Sequence, residues 1–199
     1  MLKKIIIILV VVLAVLAFLI NRQPAQFHVS RSTVINAPAA SVFAQINSQR
    51  NWNSWSPWAK LDPNATFTYS GPESGVGAIA HWSGNSKVGE GTSTITDSQP
   101  DKAVSFKLEF VKPMVATNTA LFLLEPQGGQ TQVTWSMDGT SNFIGKAFNF
   151  FFDCEKMVGK QFEEGLGNLK ALVESTQHAP VTAPVETSPT TVSATAPAA

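Results

Sequence analysis

Residues 148–173 read FNFFFDCEKMVGKQFEEGLGNLKALV, and the period of that stretch decides the fold. Phe148, Phe151, Phe152, Met157, Val158, Phe162, Leu166, Leu169 and Val173 recur at mostly three- and four-residue spacing. Glu155, Lys156, Lys160, Glu163, Glu164 and Lys170 fall between them. This is the signature of a long helix with one apolar side. Gly145, Gly159, Gly165 and Gly167 interrupt it, and each weakens a helix by up to ~1 kcal/mol. So many glycines imply either a break near Asp153 or close packing against another backbone.

Upstream the period is two. Val104, Phe106, Leu108 and Phe110 alternate with Ser105, Lys107 and Glu109, and Val133, Trp135 and Met137 alternate with Thr134, Ser136 and Asp138. Such strands have one covered face and one wet face, as in an antiparallel sheet. The same reading gives strands at 27–35, 66–70, 78–83, 90–98, 103–111, 116–125 and 131–139. Turns rich in Gly, Pro, Asn and Asp punctuate the last six. Pro38 opens a short helix over 39–46. A single antiparallel sheet curled around one long helix buries both amphipathic faces, so the fold class is α+β.

The ends differ from this middle. Lys3 and Lys4 precede sixteen apolar residues, 5–20, which predict an uncleaved signal anchor; a cleaved signal peptide is the alternative. Either way the lysines hold the start in the cytoplasm, and the rest is exported, tethered or secreted. The domain boundaries follow: an anchor and linker over 1–25, a folded domain over 26–175, and a disordered Ala/Thr/Pro-rich tail over 176–199. The 26–175 domain carries 11 basic and 13 acidic residues, which argues against nucleic acid as a partner. Cys154 is the only cysteine, so no internal disulfide forms and zinc sites built on several cysteines are excluded.

The opening Arg31-Ser-Thr-Val-Ile-Asn-Ala-Pro38 followed by Val42-Phe43 resembles the START-like (SRPBCC) superfamily, and within it the bacterial polyketide-cyclase/dehydrase-like branch. Trp52-Asn-Ser-Trp-Ser-Pro-Trp58, Tyr69-Ser-Gly-Pro72, Gly75-Val-Gly77 and Phe162-Glu-Glu-Gly-Leu-Gly-Asn-Leu-Lys170 are similar to that branch too. The resemblance spans residues 27–174. It implies a helix-grip fold, a seven-stranded antiparallel sheet gripping the C-terminal helix with an apolar cavity between them. Members carry or sense hydrophobic ligands and some are cyclases, so fold alone does not assign chemistry.

No catalytic signature stands out. The chain has neither a His-Glu-x-x-His helix nor a Gly-x-Ser-x-Gly elbow. Gly75-Val-Gly77-Ala-Ile-Ala80 fits a relaxed dinucleotide fingerprint, yet no helix follows it to receive a phosphate. Cys154 lies among Phe150, Phe151, Phe152 and Met157, where a thiol acts as a small hydrophobe. Glu163 and Glu164 are adjacent on a helix and diverge by about 100°. His81 and Glu90, on neighbouring strands, form a candidate proton-transfer pair with Tyr69 as a further candidate. Neither a metal nor a cofactor is expected.

Tryptophans carry the remaining signal. Trp52, Trp55 and Trp58 cluster in a loop and point to a wall or mouth of the cavity, whereas Trp135 reads as core. The candidate ligand-contact set is Trp52, Trp55, Trp58, Trp82, Phe106, Phe122 and Phe162. The expected function is a membrane-tethered extracytoplasmic domain holding a lipid-like or aromatic small molecule. A cyclase or hydratase using the same cavity, and an interaction scaffold whose cavity is filled by its own side chains, are the alternatives.

Overall fold

The computed structural model describes residues 1–177; the tail expected over 176–199 falls almost entirely outside them. A 20-residue helix, α1 (Leu2–Asn21), is followed by strand β1 (Gln26–Ile35) and helix α2 (Ala39–Ile46). Two single 3₁₀ turns, Asn51–Ser54 and Pro57–Lys60, carry Trp52 and Trp58, and Trp55 lies between them. Six strands come next: β2 (Thr66–Ser70), β3 (Ile79–Ser83), β4 (Glu90–Gln99), β5 (Ala103–Lys112), β6 (Ala116–Gln127) and β7 (Gln130–Thr140). Helices α3 (Phe143–Phe151) and α4 (Cys154–Gln177) end the described chain.

The seven strands form one antiparallel sheet in the order β1-β7-β6-β5-β4-β3-β2. From β2 to β7 each strand pairs with its sequence neighbour, so β1 and β2 occupy opposite edges. The chain between them must cross the full width of the sheet. It does so over the concave face, and this crossing brings Trp52, Trp55 and Trp58 onto the core. Register shifts at Glu90/Gly91 and Ile95/Asp97 bend β4, as bulges do, and help the sheet curl.

The predicted periods place the core. Val104, Phe106, Phe122, Val133 and Trp135 face inward and are buried, and Val29 and Ile35 join them from β1. From α4, Phe162, Leu166, Leu169 and Val173 are buried against this face, chiefly over β1.

Both explanations of the glycines hold, at different positions. Phe152 is extended (φ −128°, ψ 130°) and breaks the helical run one residue before Asp153. Asp153 then caps the new helix, its Oδ1 accepting from the Lys156 N–H at 3.0 Å. Further along, a Cβ on Gly165 would sit 2.8 Å from Trp135 Cζ3 and 3.1 Å from Pro57 Cδ. A Cβ on Gly159 would collide with the Arg31 guanidinium. These glycines let α4 lie close to the sheet.

The expectation of one continuous apolar side needs correction. Phe148, Phe151, Phe152 and Met157 are exposed, while the residues from Phe162 onward are buried. The break at Phe152 rotates the two halves independently, so α3 does not face the core, and within α4 burial begins only at Gly159, beyond Met157.

Candidate functional site

Between the concave sheet face and α4 lies a cluster of seven aromatic rings, from Trp52, Trp55, Trp58, Phe106, Phe122, Trp135 and Phe162. Trp135 stacks on Phe162 with centroids 3.9 Å apart and planes at 8°, and on Phe122 at 4.7 Å. Trp52 meets Trp55 at 4.6 Å and Phe106 at 5.0 Å, and Trp58 meets Trp135 edge-on at 5.8 Å. Six of the seven expected ligand contacts are thus brought together. Trp135, read from the sequence as separate core, belongs to the same cluster, 6.0 Å from Trp55. The rings fill the space where the resemblance implied an open cavity.

The cluster is tied down by polar contacts at its edge. Trp52 Nε1 donates to the Ile46 carbonyl at 2.9 Å, and Asn168 Nδ2 on α4 donates to the Trp55 carbonyl at 3.1 Å. Trp55 Nε1 and Trp135 Nε1, by contrast, are buried with no hydrogen-bond partner among the described residues, as is Asn118 Oδ1 on the inner face of β6. A buried donor or acceptor left unpaired costs about 1–3 kcal/mol. No sequence signal separates these two indoles from the others, because a lone N–H is recognised only when its neighbours are known.

Trp82 stands apart, packed edge-on against Phe110 at 5.7 Å near the β2 edge of the sheet. His81 corrects the idea of proton chemistry inside the grip. Consecutive strand residues point to opposite faces, so with Trp82 inward His81 must face out. There its Nδ1 bonds Thr92 Oγ1 at 2.8 Å, and Glu90 pairs instead with Lys112 Nζ at 2.7 Å. Tyr69 lies on the inner face, accepting from Asn53 Nδ2 at 2.6 Å with the Arg50 guanidinium 4.6 Å over its ring. The three candidates do not converge.

The β1–β7 pairing creates a His–carboxylate contact that no local spacing in the sequence reveals. His28 Nδ1 lies 2.7 Å from Asp138 Oδ1, in a hollow of about 480 Å³ shared with Thr117 and Thr119. Both side chains are more than half exposed, so water competes for the pair. Smaller hollows of about 280 and 380 Å³ lie beside His81 and beside Tyr69.

Arg31, on the inner face of β1, donates to Glu163 Oε1 at 2.7 Å and to Glu155 Oε1 at 3.1 Å. These carboxylates favour its charged form and raise its pKa further. Burial, and then the charge of Asp153, push the Cys154 thiol upward, so it is protonated at neutral pH. Alkylation of Cys154 by iodoacetamide at pH 8 is therefore expected to run slower than that of free cysteine. A rate equal to free cysteine would contradict this placement. Among the described residues, no group of three His, Cys, Asp or Glu side chains is placed to hold a metal.

A curved seven-stranded antiparallel sheet closed over a long C-terminal helix is the helix-grip architecture of the START-like (SRPBCC) superfamily. Residues 26–174 match the family described as polyketide cyclase / dehydrase and lipid transport, and the chain belongs to that family. Solved structures share the fold. A protein of Nitrosospira multiformis is 19% identical, with 76% of this chain and 99% of that one covered and a TM-score of 0.56. The Aha1 dimer of Colwellia psychrerythraea is 17% identical over 74% of this chain and 96% of that one, at 0.52. Ara h 8.0201 is 13% identical over 75% and 99%, at 0.55. At such identities the likeness establishes fold alone. No curated protein matches the chain.

Proposed function

We propose that this chain is a membrane-tethered, extracytoplasmic domain that binds a hydrophobic small molecule, lipid-like or aromatic, between the Trp52–Trp58 crossing and the sheet. α1 is long and apolar enough to cross a membrane, and Lys3 and Lys4 at its start favour a cytoplasmic N-terminus. Family membership supports a hydrophobic ligand. The observation that carries the reading is the pair of unpartnered indole donors, Trp55 Nε1 and Trp135 Nε1, within an aromatic cluster. An apolar ligand bearing a carbonyl or carboxylate oxygen would satisfy one or both and keep aromatic contact elsewhere. Trp52 and Trp58 are half-buried, on short 3₁₀ turns rather than in the sheet, and are the rings that move aside to admit it.

The stacking of Trp135 on Phe162 at 3.9 Å favours a second reading, a permanently filled scaffold. Calorimetry on residues 26–177 distinguishes the two, with a fatty acid and the hydrocarbon of equal length as probes. Binding of the acid should weaken by about 5-fold or more in Trp55→Phe or Trp135→Phe, since a lost hydrogen bond is worth ~1 kcal/mol. Binding of the hydrocarbon should weaken less than that of the acid, because it makes no hydrogen bond to the indole and loses only the contact area by which phenyl is smaller than indole. If a chemically varied set of such probes gives no saturable heat, the scaffold reading stands.

A further inference from the structure

We infer that α3 is an interfacial membrane element that seats the domain on the bilayer beside the exit of α1; this rests on the reading of α1 as a membrane anchor. α3 is amphipathic but carries its faces reversed. At about 100° per residue, Phe143, Ala147, Phe151, Ile144 and Phe148 share one side, and Gly145, Lys146 and Asn149 share the other. The polar side is the one turned to the protein. Lys146 Nζ donates to the Asn21 carbonyl at the end of α1, and Asn149 Nδ2 donates to Ser141 Oγ. The apolar side points away, leaving Ile144 65% and Phe151 62% exposed, and Phe152, 4.7 Å from Phe148, extends the patch.

In water such an arrangement is unfavourable, because a large apolar side chain gains about 1.5–3 kcal/mol on burial. The neighbourhood identifies the cover. α3 packs against α1, and the Ser141 N–H donates to the Ala25 carbonyl at 2.6 Å, so the patch continues the apolar surface of the anchor. A 20-residue helix is about 30 Å long, matching the hydrocarbon core of a bilayer. Its end at Asn21 therefore reaches the headgroup boundary, and α3 lies at that depth. Between Ser141 and Phe152 the only charge is Lys146; Asp153 follows at once, its carboxylate capping α4, and Glu155 is paired with Arg31. Only residues 22–25 separate α1 from β1, so the domain is held at one orientation to the bilayer rather than swinging on a long tether.

Nitroxide accessibility in the full chain tests this, in vesicles of phosphatidylcholine and phosphatidylglycerol. In a Cys154→Ala background, single labels are placed at Val12→Cys in α1, Ile144→Cys and Phe151→Cys in α3, and Lys107→Cys on the outer sheet face. Both α3 positions are exposed, so labelling them leaves the core intact. Labels at 12, 144 and 151 should relax more with oxygen than with a water-soluble nickel chelate, and the label at 107 the reverse. Nickel-favoured relaxation at 144 and 151, with 12 in lipid, would overturn the inference and leave the anchor standing. Shielding of 144 and 151 from both reagents would mean a protein partner or second copy covers the patch, and also overturns it. Nickel-favoured relaxation at 12 would remove the anchor reading and the inference together.

Discussion

Ending the chain at Met157 is expected to abolish cooperative unfolding of the domain. The truncation removes Phe162, Leu166, Leu169 and Val173, each no more than 1% exposed. Their burial is worth about 6–12 kcal/mol together, against the ~5–15 kcal/mol by which a typical domain is stable. It also uncovers Trp135, which loses one of its two stacking partners, and the face of β1 that α4 covers. A melt followed by circular dichroism checks the result, with a chain ending at Gln177 as control. A sharp transition in the shorter chain would mean that the sheet and its crossing segment are a complete core without α4.

Phe162→Ala should lower stability by about 3–5 kcal/mol, whereas Phe151→Ala should change it by less than about 0.5 kcal/mol. Both phenylalanines sit in the same apolar repeat and look equivalent in the sequence. Phe162 is 1% exposed and stacked on Trp135, while Phe151 is 62% exposed. Denaturant unfolding of both variants in detergent measures the difference directly. Equal losses would place Phe151 in the core and restore the continuous helix that the spacing alone suggests.

The contrast between these two residues marks how far the sequence is legible. Strand alternation identified Val104, Phe106, Val133 and Trp135 as inward-facing, because a half-covered strand exposes its period locally. Turn chemistry bounded β2 to β7 within about two residues, since each loop's glycine, proline or asparagine acts on its own backbone. Alternation also bears on His81, which as the immediate neighbour of Trp82 cannot share its face; the outward direction was implicit in the spacing. Two features were not local. The helix break at Phe152 carries no proline, and its glycines fit a break and close packing equally well. The His28–Asp138 contact depends on β1 pairing with β7, more than a hundred residues away.

For the candidate site, the sequence determined the ingredients: aromatic rings at 52, 55, 58, 106, 122 and 162, no metal-ligand pattern, and an apolar segment at 5–20. Those follow from residue type and period, which each short segment expresses by itself. Only the tertiary structure decided that the chain between β1 and β2 crosses the concave face. That crossing packs the rings against Trp135 and leaves two indole donors without acceptors among the described residues, and the contact of α3 with α1 leaves the apolar side of α3 turned outward. The physical reason is that these outcomes depend on which segments become neighbours. Neighbours are set by the order of strands in the sheet, which no local period records.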